Sequence, residues 1–310
     1  MLGRIRKALD NRRGAFAVLA AISMTAMMGF AALATDVGLL YANRVQLTNL
    51  TDAAVLAGAQ DLPGNASQAV ASANSYAGLN GKAGDKVDVN ILNNGTIMTA
   101  RASRTVPMIF ARVLGVENSV VTATAAALIS PVGGMDANIV PFGLVKQNLV
   151  YGQDYKLKLG AGDGYQGNFA ALALGGTGAS IYRDNIKFGH NGPIKAGDWV
   201  TTETGDMSGP TKQGVQYRIS LDPTATFGSV EKGSPRIITV PVIDSIQVNG
   251  RNEVLVVGFA AMFLEDFTGG GPNSFVIGKF IKMTVPGDGT GSAGNWGVYS
   301  AKLIPYQASY

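Results

Sequence analysis

Residues Ala15 to Thr35 read AFAVLAAISMTAMMGFAALAT, a run without one charged side chain. Crossing a hydrocarbon core of ~30 Å takes about 20 apolar residues of helix, and this run meets that requirement near the N-terminus. The basic residues Arg4, Arg6, Lys7, Arg12 and Arg13 precede it, and the first charge after it is Asp36. Lys and Arg favour the cytoplasmic flank of a span. Residues 1–14 therefore read as a cytoplasmic tail. The body beyond Asp36 reads as extracytoplasmic, held to the cell membrane by a single pass.

A cleaved secretory signal is the competing reading, and Ala31-Ala32-Leu33-Ala34-Thr35 offers small residues to a peptidase. Signal h-regions run to only ~7–15 residues, however. Helical patterning also continues past the apolar run without a break. Retention of the segment is the expectation.

The remaining composition limits what the body can be. Cysteine is absent, which removes disulfides, thiolate metal sites and cysteine nucleophiles. The body must therefore rest on its own hydrophobic core, and its length suffices for one. Charged residues make up 15% against 46% hydrophobic, with 41 glycines. That balance indicates a turn-rich, β-rich exported protein and argues against disorder. A net charge of +4, part of it ahead of the span, is an orientation signal and not a nucleic-acid footprint.

From Leu40 apolar or small residues recur at spacings of three and four: Leu40, Asn43, Leu47, Leu50, Ala54 and Ala57. Arg44, Gln46, Thr48, Asn49, Thr51 and Asp52 fall between them. This is an amphipathic stripe. One helix is expected from about Gly14 to Ala59, spanning the bilayer and continuing above it as a stalk (residues 15–60), and ended by Asp61-Leu62-Pro63-Gly64. A small α/β unit follows at 61–130. It comprises a helix over Ser67–Ala77, a strand over Lys86–Ile91, a turn at Asn93-Asn94-Gly95 and a strand over Thr96–Thr105. A helix from Pro107 to Leu114, stopped by Gly115, and a strand over Val120–Ile129 complete it.

Pro131-Val132-Gly133-Gly134 reads as a linker. From 135 to 310 short apolar runs alternate with turn residues: Ile139–Val145, Tyr155–Leu159, Phe169–Leu174, Trp199–Thr202, Ile237–Ile243, Val254–Phe263, Phe275–Val285 and Val298–Ile304. Asn249-Gly250 is a hairpin signal between two of them. The pattern predicts a larger all-β ectodomain, a sandwich or barrel, with Trp199 as a core anchor.

Three stretches taken together carry a family resemblance. They are Arg12-Arg13-Gly14-Ala15, then Gly29-Phe30-Ala31-Ala32-Leu33-Ala34-Thr35-Asp36-Val37-Gly38, then Tyr41-Ala42-Asn43-Arg44-Val45-Gln46-Leu47-Thr48-Asn49-Leu50-Thr51-Asp52-Ala53-Ala54. This region resembles the N-terminus of TadE/TadG-like proteins of the tight-adherence (Flp) pilus assembly system, over residues 12–60. The resemblance implies a bacterial membrane-anchored component that builds or displays a surface pilus, as a minor pilin-like or anchoring subunit. Its partners would be the lipid bilayer and other pilus-assembly membrane proteins or pilins. In one respect the sequence departs from pilin precursors: Gly14 is followed by Ala15-Phe16-Ala17-Val18-Leu19, without the acid that a prepilin peptidase site carries five residues on.

Ala17, Ala21, Thr25 and Gly29 fall four apart and form a strip of small residues where a second helix could approach closely. Alanine is also simply abundant in this run. The stalk stripe of Leu40, Leu47, Leu50, Ala54 and Ala57 suits packing on the protein's own α/β unit more than pairing with a partner helix.

Catalytic chemistry finds little footing. Gly162-Asp163-Gly164-Tyr165-Gln166-Gly167 satisfies G-x-G-x-x-G. The segment Asn168 to Leu174 before Gly175-Gly176 is too short for the crossover helix a dinucleotide needs, so turn glycines are the better reading. His190 is the single histidine and reads as a surface turn residue. Neither Asp198, Glu203 and Asp206 nor Glu265-Asp266 has the spacing of a calcium loop. No catalytic residue, cofactor or metal is assigned. The sequence therefore reads as a structural, non-enzymatic pilus-assembly component concerned with surface attachment. The alternatives are an anchored protein whose β-domain binds a glycan, wall polymer or matrix protein, and an anchored wall hydrolase.

Overall fold

A computed structural model describes residues 12–159, 168–289 and 294–307. Arg4, Arg6 and Lys7 of the basic tail and the glycine run 162–167 lie outside the described residues. Helix α1 is continuous over Arg12–Ala59, within two residues of the expected limits. Its end is tightened by N–H groups of Gln60, Asp61 and Leu62 donating back to carbonyls of Ala57, Gly58 and Ala59. Helix α2 (Ala66–Asn80) comes next. Its N-cap Asn65 accepts the Gln68 N–H at 3.0 Å, and its alanines Ala69, Ala73 and Ala77 are buried against α1.

Strands β1 (Lys86–Leu92) and β2 (Ile97–Pro107) form an antiparallel pair with Leu92 opposite Ile97. Asn93, Asn94 and Gly95 turn the chain at φ values of 50°, 53° and 87°. These are left-handed conformations that Asn and Gly tolerate best. Strand β3 (Asn118–Pro131) pairs along the whole of β2.

The helix expected from Pro107 to Leu114 is corrected here. Pro107 is the last residue of β2, opposite Asn118, and the Met108 N–H still donates to the Glu117 carbonyl. Too few residues then remain for an α-helix. Only Ala111–Leu114 form a 3₁₀ turn, closed by Gly115 at φ 86°.

The chain continues through β4 (Gly134–Met135), β5 (Leu144–Val145), β6 (Asp154–Lys158), β7 (Asn168–Leu172), α3 (Ala179–Phe188), β8 (Ile194–Lys195), β9 (Trp199–Thr204) and α4 (Ser208–Leu221). It closes with β10 (Ile237–Ile243), β11 (Glu253–Thr268), β12 (Phe275–Ile281), β13 (Met283–Thr284) and β14 (Val298–Ile304). One sheet has the order β1-β2-β3-β14-β13, a second β5-β10-β11-β12-β6, with β9 pairing both β11 and β7, and β4 pairs β8 in a third of two strands. The first sheet thus takes its last two strands from the far end of the chain.

Pro131 to Gly134 is built into the sheets. Pro131 faces Tyr299, the Val132 N–H donates to the Val298 carbonyl, and Gly134 faces Lys195. The chain beyond 135 is predominantly β, as expected, but it also contains α3 and α4, which pack on each other. Antiparallel β10 and β11 flank the Asn249-Gly250 signal. Their connection is a longer loop than a two-residue turn, running from Ile243 to Glu253, with Gly250 at φ 58°.

Trp199 is not the core anchor expected. It begins β9 at 60% exposure, while Thr202 and Glu203 at the other end of that strand are fully buried. Tyr182, Phe142, Phe259 and Phe263 fill the interior instead.

Candidate functional site at the joint between helix and body

Helix α1 has two halves in different surroundings. From Phe16 to Thr35 its side chains lie against no other element and are exposed, apart from a few partly shielded alanines. Among the described residues it is the one helix long and apolar enough to cross a membrane. The Thr25 and Thr35 hydroxyls donate to the carbonyls of Ala21 and Ala31 at 2.9 and 2.8 Å. Both are thereby satisfied within the helix, as an apolar medium requires. From Asn43 onward the helix lies across β2, β3 and α2, and Leu47, Leu50, Ala54, Val55 and Ala59 are fully buried. At Gly58 the fit is so close that a methyl group would meet the Met98 sulfur and the Ala69 carbonyl.

Polar contacts fasten this second half at three levels. At the first, Asp36 is 5% exposed and accepts three successive backbone N–H groups. Ile109 donates at 3.0 Å, Phe110 at 3.1 Å and Ala111 at 2.6 Å. These are the orphan donors at the start of the 3₁₀ turn, and charge-assisted bonds to a carboxylate are among the stronger ones.

At the second level Arg104 of β2 meets Asp85 in bidentate fashion, Nε and Nη2 each donating at 2.7 Å. Its Nη1 donates to Asn43 at 2.9 Å and to Gln46 at 2.8 Å, both on α1. The Asp85 carboxylate also accepts the Lys82 N–H at 2.8 Å. Hydrogen bonding from Arg104 is the main reason that the Asp85 carboxyl sits below its ordinary pKa; burial opposes this, and the Lys82 N–H adds to it. Arg104 shifts upward for the reciprocal reason.

The third level is the helix C-terminus. There the Thr284 hydroxyl reaches the carbonyls of Leu62 at 2.9 Å and Ala59 at 3.3 Å. Lys232 donates to the Gln60 carbonyl and the Asp61 carboxylate, both at 2.7 Å.

Asp36 and Ala59 stand about 35 Å apart along a helix rising 1.5 Å per residue. The segment between them is thus held to the body at both of its ends and near its middle.

Of the residues singled out in the sequence, Ala17, Ala21, Thr25 and Gly29 lie on the exposed half, where a Cβ added at Gly29 would meet nothing. In the stalk, Leu47, Leu50 and Ala54 are buried against the α/β unit, while Leu40 and Ala57 are half-buried at its margin. Nothing in the sequence joins Arg104 to Asp85, Asn43 and Gln46, or Asp36 to residues 109–111. The single usable signal was an uncompensated acid directly behind the apolar run.

The loosely clustered acids do not converge. Asp198 accepts the Lys195 N–H, and Asp206 accepts the Ser208 N–H. Buried Glu203 takes the Gly178 N–H and pairs with Arg251 at 2.9 Å. His190 is no surface turn. Its backbone pairs with Ile139, its ring fits against Gly175 and Gly192, and burial lowers its pKa. Among the described residues no group of three or more His, Cys, Asp or Glu is placed to hold a metal ion. Directly after the glycine run the chain enters strand β7, where a dinucleotide fold would need a helix.

Residues 14–61 match the model of a family described as putative Flp pilus-assembly TadE/G-like. The match spans α1 almost end to end and stops where α2 is about to begin. No curated protein and no solved structure matches the chain.

Proposed function

We propose that this protein is a membrane-anchored, extracytoplasmic component of Tad/Flp-type pilus assembly, a minor pilin-like or anchoring subunit with a structural role in surface attachment. The observation that carries the reading is a coincidence of limits. The matched residues 14–61 are the helix that is apolar and uncovered over its first half and locked into the body over its second. In this reading residues 15–35 span the cell membrane and the basic tail stays in the cytoplasm, since Lys and Arg favour that side. The α/β sheet stands next to the outer surface of the bilayer, and the β-rich part is displayed beyond it. Other membrane proteins of the assembly system, or pilins, are its partners, met through the exposed half of α1 or through the displayed body. No nucleic acid or cofactor enters the reading, and the ligand of the β-rich part is left open.

Deletion of the coding region tests it. Pilus number and surface attachment fall if the subunit takes part in assembly, and a version lacking residues 15–35 fails to restore them. A deletion strain with unchanged pili and unchanged attachment overturns the reading.

A further inference from the structure

The loop between β2 and β3 presents a group of apolar side chains that the body leaves uncovered. Met108 is buried and Ala111 packs on the core, so the loop is firmly seated. Ile109 and Phe110 are nevertheless about half exposed, and Val113 and Leu114 are 88% and 85% exposed. Scattered single apolar residues on a surface need no explanation, but a contiguous set does.

The position of this loop along α1 is fixed by three contacts. Met98 lies against Gly58, Arg104 bonds to Asn43, and Ile109 to Ala111 bond to Asp36. Strand β2 therefore descends antiparallel to the helix, and the loop arrives level with Asp36. That residue is the first charge after a run of about 31 Å of uncharged helix at 1.5 Å per residue. The far edge of the hydrocarbon core falls at the same height.

We infer that residues 109–114 form a second membrane contact, an apolar foot that enters the boundary between lipid headgroups and acyl chains beside the span. This rests on the reading of residues 15–35 as a membrane anchor. The surroundings suit such a depth. Arg112 is exposed within the foot, and Tyr41 and Arg44 are exposed on α1 about one and two turns beyond Asp36 toward the C-terminus. Tyr is enriched at the membrane interface, and Arg keeps its charge at the headgroups while its stem lies along apolar surface. Three N–H groups on Asp36 fix the foot to the span, so the body gains two points of support on the bilayer and a defined tilt.

The chain contains no cysteine, so single-cysteine variants can report depth directly. Full-length Leu114→Cys, Met27→Cys and Val150→Cys are labelled with a polarity-sensitive fluorophore and reconstituted in phosphatidylcholine–phosphatidylglycerol vesicles. Each is then quenched by nitroxide-bearing lipid or by aqueous iodide. The label at 27 should respond to the lipid quencher and the label at 150 to iodide. The label at 114 should be quenched several-fold more by lipid nitroxide than by iodide, with Val113→Cys agreeing. If 114 behaves like 150 while 27 remains lipid-quenched, the foot is off the membrane and only the anchor stands. If 114 is shielded from both quenchers, protein covers it, and the lipid assignment is overturned. If 27 itself is quenched by iodide, the anchor reading has failed, a result distinct from the other two.

Discussion

The two halves of α1 are both rich in Ala and Leu, yet they solve different problems. In residues 16–35 apolar side chains point in every direction, and no part of the body covers them. In residues 43–59 most apolar positions gather on one side, where Leu47, Leu50 and Ala54 are buried, while Arg44 and Asn49 face outward and Val45 is the apolar exception. A helix apolar all round needs a solvent that is itself apolar, whereas a helix with one apolar stripe needs a protein surface. Overall hydrophobicity and its arrangement together decide which surroundings each half takes: residues 16–35 carry no charge, whereas 43–59 include Arg44 and Asp52. Asp36 marks the change, with its carboxylate spent on the body's own backbone.

The largest contrast between the halves should come from the polar clamp that only the second half has. Removing Asp85 leaves the Arg104 guanidinium, 8% exposed, without its carboxylate. Breaking a buried pair from one side costs about 3–5 kcal/mol. Asp85→Ala should therefore lower the unfolding free energy of the detergent-solubilised protein by that order, read by denaturant titration.

The same pair predicts a pH dependence. The folded pKa of Asp85 lies below its unfolded value, so its contribution is complete above the ordinary carboxylate pKa of about 3.9. It is lost as the pH falls through the lower, folded value. The stability gap between wild type and Asp85→Asn should hold from pH 7 to about pH 5 and shrink below about pH 4. A gap unchanged at low pH would mean that the carboxylate charge does not matter to the joint.

Next in size is a direct comparison of two leucines on the same helix. Leu50 is fully buried and Leu19 is 63% exposed. Leu50→Ala opens a cavity in the core between α1 and the first sheet and should cost about 2–5 kcal/mol. Leu19→Ala touches nothing in the body and should stay within about 0.5 kcal/mol. Equal losses in the two variants, measured by thermal unfolding in one detergent, would show that the halves are not energetically separate.

How much of this could be read from sequence depended on how local each feature is. The limits of α1, the hairpin at Asn93-Asn94-Gly95 and strands such as Ile237–Ile243 rest on neighbouring residues, and they agree with the structure. Helix α4 was missed because Gly209, Pro210 and Gly214 sit inside it, and the Gly214 position is held open by tight packing on Ile186. Trp199 was misplaced because a large apolar residue in a strand says nothing about which end of that strand is covered. The return of β14 to the first sheet, and the meeting of Asp36 with residues 109–111 more than seventy positions away, are tertiary facts without a periodic trace. The joint was therefore legible in part. Its helix and its stripe could be seen, but the carboxylates and the arginine that secure them could not.

The smallest expected effect concerns the first half and the strip of Ala17, Ala21, Thr25 and Gly29. In lipid there is no hydrophobic gain from bringing two helices together, so close backbone approach across small residues must supply the attraction. Gly29→Leu adds bulk where a built Cβ meets no atom of this chain, so the body should unfold as before. If the strip is a contact face, energy transfer between donor- and acceptor-labelled full-length copies in vesicles should fall. The change would correspond to on the order of 1 kcal/mol in association, the scale of interhelical contacts in membranes. Met28→Leu, one position round the helix, should leave the transfer unchanged. A drop common to both variants would trace to altered lipid packing, and no drop in either would reduce the strip to the abundance of alanine in this run. Only loss at Gly29 with retention at Met28 distinguishes a helix that uses lipid as a solvent from one that also uses it as the place to meet a partner.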